Sequence, residues 1–273
     1  MSFLRKVFYL SYLLICSTAF SQDLTQKQKD ILVKYLDHGA YRYHYLDQEW
    51  ESNIEKAIKE DSTIALLWQR RALPYWKIRK YTIALDYYNK AVQYDRREYL
   101  GRRGYLNCIF SKDYKSALKD FDNASAEFGE SIENDHTYNF YRALCYLQLN
   151  QYDRAEKYIN LDLDFIEKKF GKDWISPSAY FYLGIIKYEQ RDYKAAVSAF
   201  DLALQLQPKF SDALYYKAIS LHKINKDNNE FHSLMEMVSE YYASGNSFNE
   251  NGALYEKYPY QISKWEIDAF AKK

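Results

Sequence analysis

The chain has 273 residues, 48% of them hydrophobic, which is ample for a buried core. Its 8 glycines and 4 prolines are too few to punctuate a many-stranded sheet, and that scarcity favours long helices joined by short loops. The formal net charge is +1 with both signs interspersed, so no strong field draws in nucleic acid or an anionic lipid surface.

At the start, Arg5 and Lys6 precede an apolar run from Val7 to Phe20 that closes on Ala19-Phe20-Ser21. This is the three-part layout of a secretory signal spanning 1–21, with cleavage expected before Gln22. A membrane-spanning helix needs roughly 20 apolar residues, more than this run offers. Ile15 stands before Cys16 where a lipidated cysteine normally follows a small residue, which argues against a lipoprotein. Without these 21 residues 36 basic side chains face 37 acidic ones. Cys108 and Cys145 then remain, which is no disulfide framework, and two buried free thiols are expected.

Residues 22–61 read as a degenerate leading helix pair. Gly39 would be its small residue, and Trp50, Ile54 and Ala57 before Asp61-Ser62 would be its end. From 62 to 238 one skeleton recurs. It reads Trp68, Ala72, Tyr75, Tyr81, Ala84, Tyr88, Ala91; then Gly104, Tyr114, Ala117, Phe121, Ala124, with one extra residue between Gly104 and Tyr114. It returns as Ala143, Tyr146, Tyr152, Ala155, Ile159, and most fully as Tyr180, Leu183-Gly184, Tyr188, Tyr193, Ala196, Phe200, Ala203, Pro208. An eroded fifth copy keeps Leu214, Ala218 and Leu221. The alanines Ala84, Ala117, Ala155 and Ala196 lie 33, 38 and 41 residues apart, so later connections or second helices are lengthened. Ser125 to His136 reads as one such connection. Pro74, mid-helix, predicts a kink. Residues 239–273 form a C-terminal capping segment, with a short helix expected at Ser263 to Ala271.

This skeleton resembles the tetratricopeptide repeat, in exported bacterial form. The resemblance implies an all-α fold, a right-handed α-solenoid of antiparallel helix pairs wound as a superhelix. Small residues such as Ala72 and Gly184 would let paired helices approach. Phe121 and Phe200 would fill the gap to the next pair.

Chemistry has no candidate constellation. The five histidines lack metal-ligand spacing, no glycine loop cradles phosphate, and Ser116 with Lys119 matches Ser-x-x-Lys without supporting motifs. No cofactor, metal or catalytic residue is expected, and the chain reads as a non-enzymatic scaffold. The family's groove positions fall on Gln69, Leu73 and Trp76, on Phe140, Leu144 and Leu147, on Phe181, Ile185 and Tyr188, and on Tyr215, Ile219 and His222. Lys77, Gln148, Glu189 and Lys223 rim them. The carboxylate clamp of chaperone-binding relatives is absent, since Gln69, Leu73, Phe140, Leu144, Phe181 and Ile185 stand there. The expected partner is a protein or peptide held in this aromatic groove, in the periplasm or at the cell envelope, with membrane association only through an envelope partner. An accessory glycan- or peptidoglycan-binding module is the alternative reading. A stripe of this spacing also suits plain packing, and the aromatic tail Tyr255 to Trp265 is a candidate to fold back into the groove. Oligomeric state is not written in the sequence.

Overall fold

The computed structural model describes residues 22–271, so the expected signal at 1–21 lies outside the described residues. Thirteen α-helices and one short hairpin are found among them. The helices are α1 (Gln26–Leu32), α2 (Gln48–Glu60), α3 (Ala65–Lys77), α4 (Tyr81–Tyr94), α5 (Arg96–Leu106) and α6 (Tyr114–Phe128). After the hairpin strands β1 (Ile132–Glu133) and β2 (His136–Thr137) come α7 (Tyr138–Gln148), α8 (Tyr152–Phe170) and α9 (Pro177–Glu189). The remainder are α10 (Tyr193–Leu206), α11 (Ser211–Asn225), α12 (Asn228–Ala243) and α13 (Lys264–Ala271). The fold is all-α, in antiparallel pairs, as expected.

One local device recurs at the turn inside each pair from α3–α4 onward. Arg79, Lys112, Asn150, Arg191 and Lys226 all take left-handed backbone, with φ between 56° and 64°. Each stands five residues before Ala84, Ala117, Ala155, Ala196 and Phe231 respectively. The turn therefore sets the register that brings the alanine against the first helix. All four alanines are fully buried. Gly184 serves the same approach from the other side, because a Cβ there would run into the Phe200 ring. At the start of the second helices Asp113, Asp192 and Asp227 accept backbone N–H bonds and cap α6, α10 and α12.

The irregular spacings have physical causes. The extra residue after Gly104 is absorbed by a π turn over Asn107–Ser111 at the end of α5. Between Ala117 and Ala155 the added length is the hairpin, which pairs Ile132 with Thr137 and Glu133 with His136. The expected connection from Ser125 is corrected here: α6 runs on to Phe128 and stops at Gly129, whose φ of 87° suits glycine. Buried Arg142 ties this stretch down by donating to Asp122, Glu130 and the Phe121 carbonyl. Between Ala155 and Ala196 the second helix itself is long, α8 having 19 residues against 14 in α10. Pro74 lies within α3 but near its end, and the helix continues through it to Lys77. The second helix of the last pair, eroded in sequence, is complete as α12, with Phe231 where the other copies keep alanine.

The chain divides into two compact units. One runs to Gly104 and includes Ala126–Phe128; the other comprises Tyr105–Ser125 and the residues from Gly129 onward. The first has a core of Ile31, Leu36, Trp50, Ile54, Ile64 and Leu67, where Gly39 lies too close to Tyr35 and Asn53 to bear a Cβ. The core of the second runs through Phe121, Phe140, Tyr141, Phe181, Tyr182 and Phe200, all fully buried.

Candidate functional site

In the second unit the first helices α7, α9 and α11 carry the residues expected to line a groove. The chain's own residues 246–267 pack against the α9 and α11 part of it, on Phe181, Tyr182, Phe210 and Tyr216. The covering segment begins where Ser211 N–H donates to the Asn246 carbonyl at 2.9 Å. Phe248 then enters between Phe181, Tyr182 and Phe210, with ring centroids 5.6, 5.8 and 5.8 Å away. Tyr258 packs on Phe248 at 5.2 Å, and Tyr258, Ile262 and Ile267 are all buried. Burying three such side chains contributes roughly 5–9 kcal/mol before ordering costs.

Polar groups hold the segment in register. Asp212 lies buried at the start of α11 and accepts from Phe248 N–H at 3.1 Å, Ser247 Oγ at 2.8 Å and Ile262 N–H at 2.9 Å. Burial pushes its carboxyl above the usual range against these bonds. A second anchor joins Glu250 to His136 Nε2 at 2.8 Å and to Ser178 Oγ. Burial opposes both charges of this pair. The Glu250 charge and bond nonetheless hold His136 above its ordinary value, and His136 in turn holds Glu250 below its own. Lesser ties run from Tyr182 Oη to the Pro259 carbonyl at 3.0 Å and from Lys112 Nζ to the Lys257 carbonyl at 2.6 Å. Gly252 passes so close to Tyr105 Oη that a Cβ would sit 2.7 Å from it.

The expected groove residues therefore have different fates. Phe140 is fully buried under the His136 ring at 3.7 Å, Phe181 lies against Phe248, and Tyr215 packs on Tyr216 and Phe270. Tyr188 is half-buried beside Tyr193 and Tyr216. Glu189 accepts from Tyr260 Oη at 2.7 Å, and Gln148 accepts from Tyr114 Oη at 3.3 Å. His222 lies against Phe231 at 5.0 Å, while Lys223 is exposed. In the first unit Trp76 is buried against Tyr81 and Tyr88, with Gln69 and Lys77 half-buried. The open aromatic groove is thus corrected to packed interior at Trp76, Phe140, Phe181 and Tyr215, because helix pairs and tail exclude solvent there. The tail does fold back: Tyr258 and Ile262, inside the expected stretch, are its most buried side chains, Phe248 joins them from upstream, and Tyr255 and Trp265 stay exposed.

An open site exists elsewhere. A cleft of about 160 Å³ in the first unit is lined by Tyr45, Leu46, Trp50, Pro74, Tyr75 and Ile78, with Glu51 and Arg71 at its polar side. Arg71 donates to Glu55 at 2.6 Å and lies over the Tyr87 ring. Leu46 and Ile78 are exposed at 52% and 42%. Arg71, Pro74, Tyr75 and Ile78 follow helical spacing on the side of α3 opposite the expected groove positions. Among the described residues no cluster of His, Cys, Asp or Glu is placed to hold a metal ion.

Tetratricopeptide-repeat models match residues 109–163, which contain α6, α7 and the first part of α8, and residues 177–210, which contain α9 and α10. These two stretches are tetratricopeptide repeats. The fold of the chain resembles three solved repeat structures. A tetratricopeptide repeat protein from Parabacteroides merdae covers 91% of this chain and 98% of its own at 17% identity, with TM-score 0.62. PilW, a widely conserved type IV pilus biogenesis factor, covers 81% and 96% at 16% identity, with TM-score 0.61. PilF of Pseudomonas aeruginosa covers 80% and 95% at 18% identity, with TM-score 0.57. No curated protein sequence matches the chain.

Proposed function

We propose that this repeat protein is a non-enzymatic adaptor of the bacterial periplasm or cell envelope that takes a protein partner at the cleft of its first unit. The observation that carries this reading is the contrast in occupancy. Residues 246–267 cover the α9 and α11 part of the second unit's first-helix face. The cleft between Leu46 and Ile78 is open instead, with an apolar wall of Tyr45, Leu46, Trp50 and Pro74 beside charged Asp47, Glu51 and Arg71. At about 160 Å³ it is smaller than the roughly 300–1,000 Å³ of small-molecule sites. It suits one large apolar side chain from a protein surface, the anchor on which interface energy concentrates. The leader-like residues 1–21 support export. PilW, alike in fold, is a type IV pilus biogenesis factor, so by analogy an envelope assembly is the partner class to test first.

The test places a photo-crosslinking residue at Ile78, at Lys223 and at Trp174, one at a time, in cells that express the whole gene. Captured partners are then purified and titrated against wild type and Leu46→Glu. Capture at Ile78, with binding weakened at least tenfold by Leu46→Glu, supports the reading. Capture confined to Lys223, or affinity for peptidoglycan with no protein captured, overturns it. The glycan alternative draws on one observation, the exposed pair Phe170 and Trp174 with ring centroids 6.0 Å apart, an aromatic platform of the kind sugars stack on.

A further inference from the structure

Gln22 enters the first unit with its backbone N–H and both side-chain polar atoms hydrogen-bonded. Its backbone N–H donates to Asp95 Oδ2 at 2.7 Å. Its side-chain Nε2 donates to the Thr63 carbonyl at 2.8 Å. Its Oε1 accepts at 3.1 Å from Ala65 N–H, one of the first-turn amides that α3 leaves without a partner inside the helix. Asp95 is buried, and its other oxygen caps α5 by accepting from Glu98 N–H at 3.0 Å. A glutamine side chain and a carboxylate therefore clamp one backbone position from two sides. In sequence the small-residue end of the leader-like stretch, Ala19-Phe20-Ser21, stops immediately before that position.

We propose that hydrolysis of the Ser21–Gln22 bond turns this clamp into a docking site for the new N-terminus, with the Gln22 ammonium group ion-paired to Asp95. This rests on the proposed removal of residues 1–21. In the hydrolysis, water adds oxygen to the Ser21 carbonyl carbon. The C–N bond breaks, and the proton lost by the new carboxylic acid is carried by the Gln22 amine. The amide N–H that faced Asp95 becomes a charged donor at the same place. Charge-assisted bonds are roughly twice as strong as neutral ones. A free α-amine ordinarily titrates at about 7.7–8.0, and a buried carboxylate beside it raises that value. The stabilisation is therefore complete below pH 7 and is lost as pH rises through the raised value. The two side-chain bonds also oppose attack of the amine on the Gln22 amide carbon, which would expel ammonia and consume the charge.

The gene is expressed with its own leader in a Gram-negative host. The exported protein is analysed by intact mass and N-terminal sequencing, then labelled with an amine-selective reagent across pH, beside Asp95→Asn. Gln22 is expected first, uncyclised, with its labelling midpoint at least one pH unit above that of Asp95→Asn, or about tenfold slower labelling near pH 8. Because Asp95 also caps α5, an Asp95→Asn protein that fails to fold is replaced as reference by the free-amine value of about 7.7–8.0. A different first residue overturns the leader reading. Gln22 first with an unshifted midpoint, or a mass short by ammonia, overturns the pairing with Asp95.

Discussion

The two units are built from the same helix pair and differ in how the faces beside their first helices are finished. In the second unit the α9 and α11 part of those faces is closed by 22 residues that begin at Asn246, seated on Phe181 and pinned by Asp212 and Glu250. In the first unit one side of α3 is packed, with Leu73 against the leading core, while the other side is left as a cleft between Pro74, Ile78 and Trp50. A repeat thus supplies a scaffold, and what covers it decides which surface remains for others.

Removing the cover gives the sharpest test of that difference. Phe248→Ala is expected to destabilise by about 3–5 kcal/mol, because it empties a space between four aromatic rings. Leu46→Ala, on the rim of the open cleft, is expected to cost less than about 0.5 kcal/mol. Urea titration of both variants checks the pair, and equal losses would erase the distinction. Gly184→Ala tests the helix approach beneath the cover. The added methyl meets the Phe200 ring, and a loss of about 1–3 kcal/mol is expected in thermal unfolding.

The cover and its surroundings also carry a pH signature. Burial lifts the Asp162 carboxyl to about 6 despite its bond from Thr137. The folded chain then binds that proton more readily than the unfolded one, so stability is gained as pH falls from 7 through 6 and levels off near 4. His136, held above its ordinary value by Glu250, acts in the same sense, since its contribution is lost as pH rises. Stability is expected to rise by about 1–3 kcal/mol between pH 7 and 5, with the slope flattened in Asp162→Asn.

The smallest effect concerns what the units share. Arg79→Gly in the first and Arg191→Gly in the second are each expected to stabilise by up to about 1 kcal/mol, because both positions hold left-handed backbone. Matching gains would show that the turn is common to both units and that only the covering differs.

Local periodicity made the repeats legible. Ala84, Ala117, Ala155 and Ala196 mark the close approach of paired helices, and a small side chain there is a signal one segment carries alone. The seat of the tail was less legible, because Phe248 follows Gly245-Asn246-Ser247 with no pattern around it and meets Phe181 on α9 and Phe210 just before α11. The hairpin at Ile132–Thr137 is likewise too short to show a period-two alternation. Groove positions carried over from the family fell on Phe140, Phe181 and Tyr215, and their apolar character reflects what lies on top of them. The cleft left one trace in sequence. Pro74 breaks the pattern of α3, and Arg71, Tyr75 and Ile78 share its stripe, opposite Gln69, Leu73 and Trp76.

The π turn over Asn107–Ser111 has an evolutionary consequence. An inserted residue inside a helix ordinarily rotates everything beyond it by about 100° and would turn Ala117 away from its partner. Here the surplus is taken up as one widened turn, and the next helix starts in phase. Such a turn lets a repeat lengthen by one residue and remain a repeat, so copies can drift in length until sequence alone barely joins them.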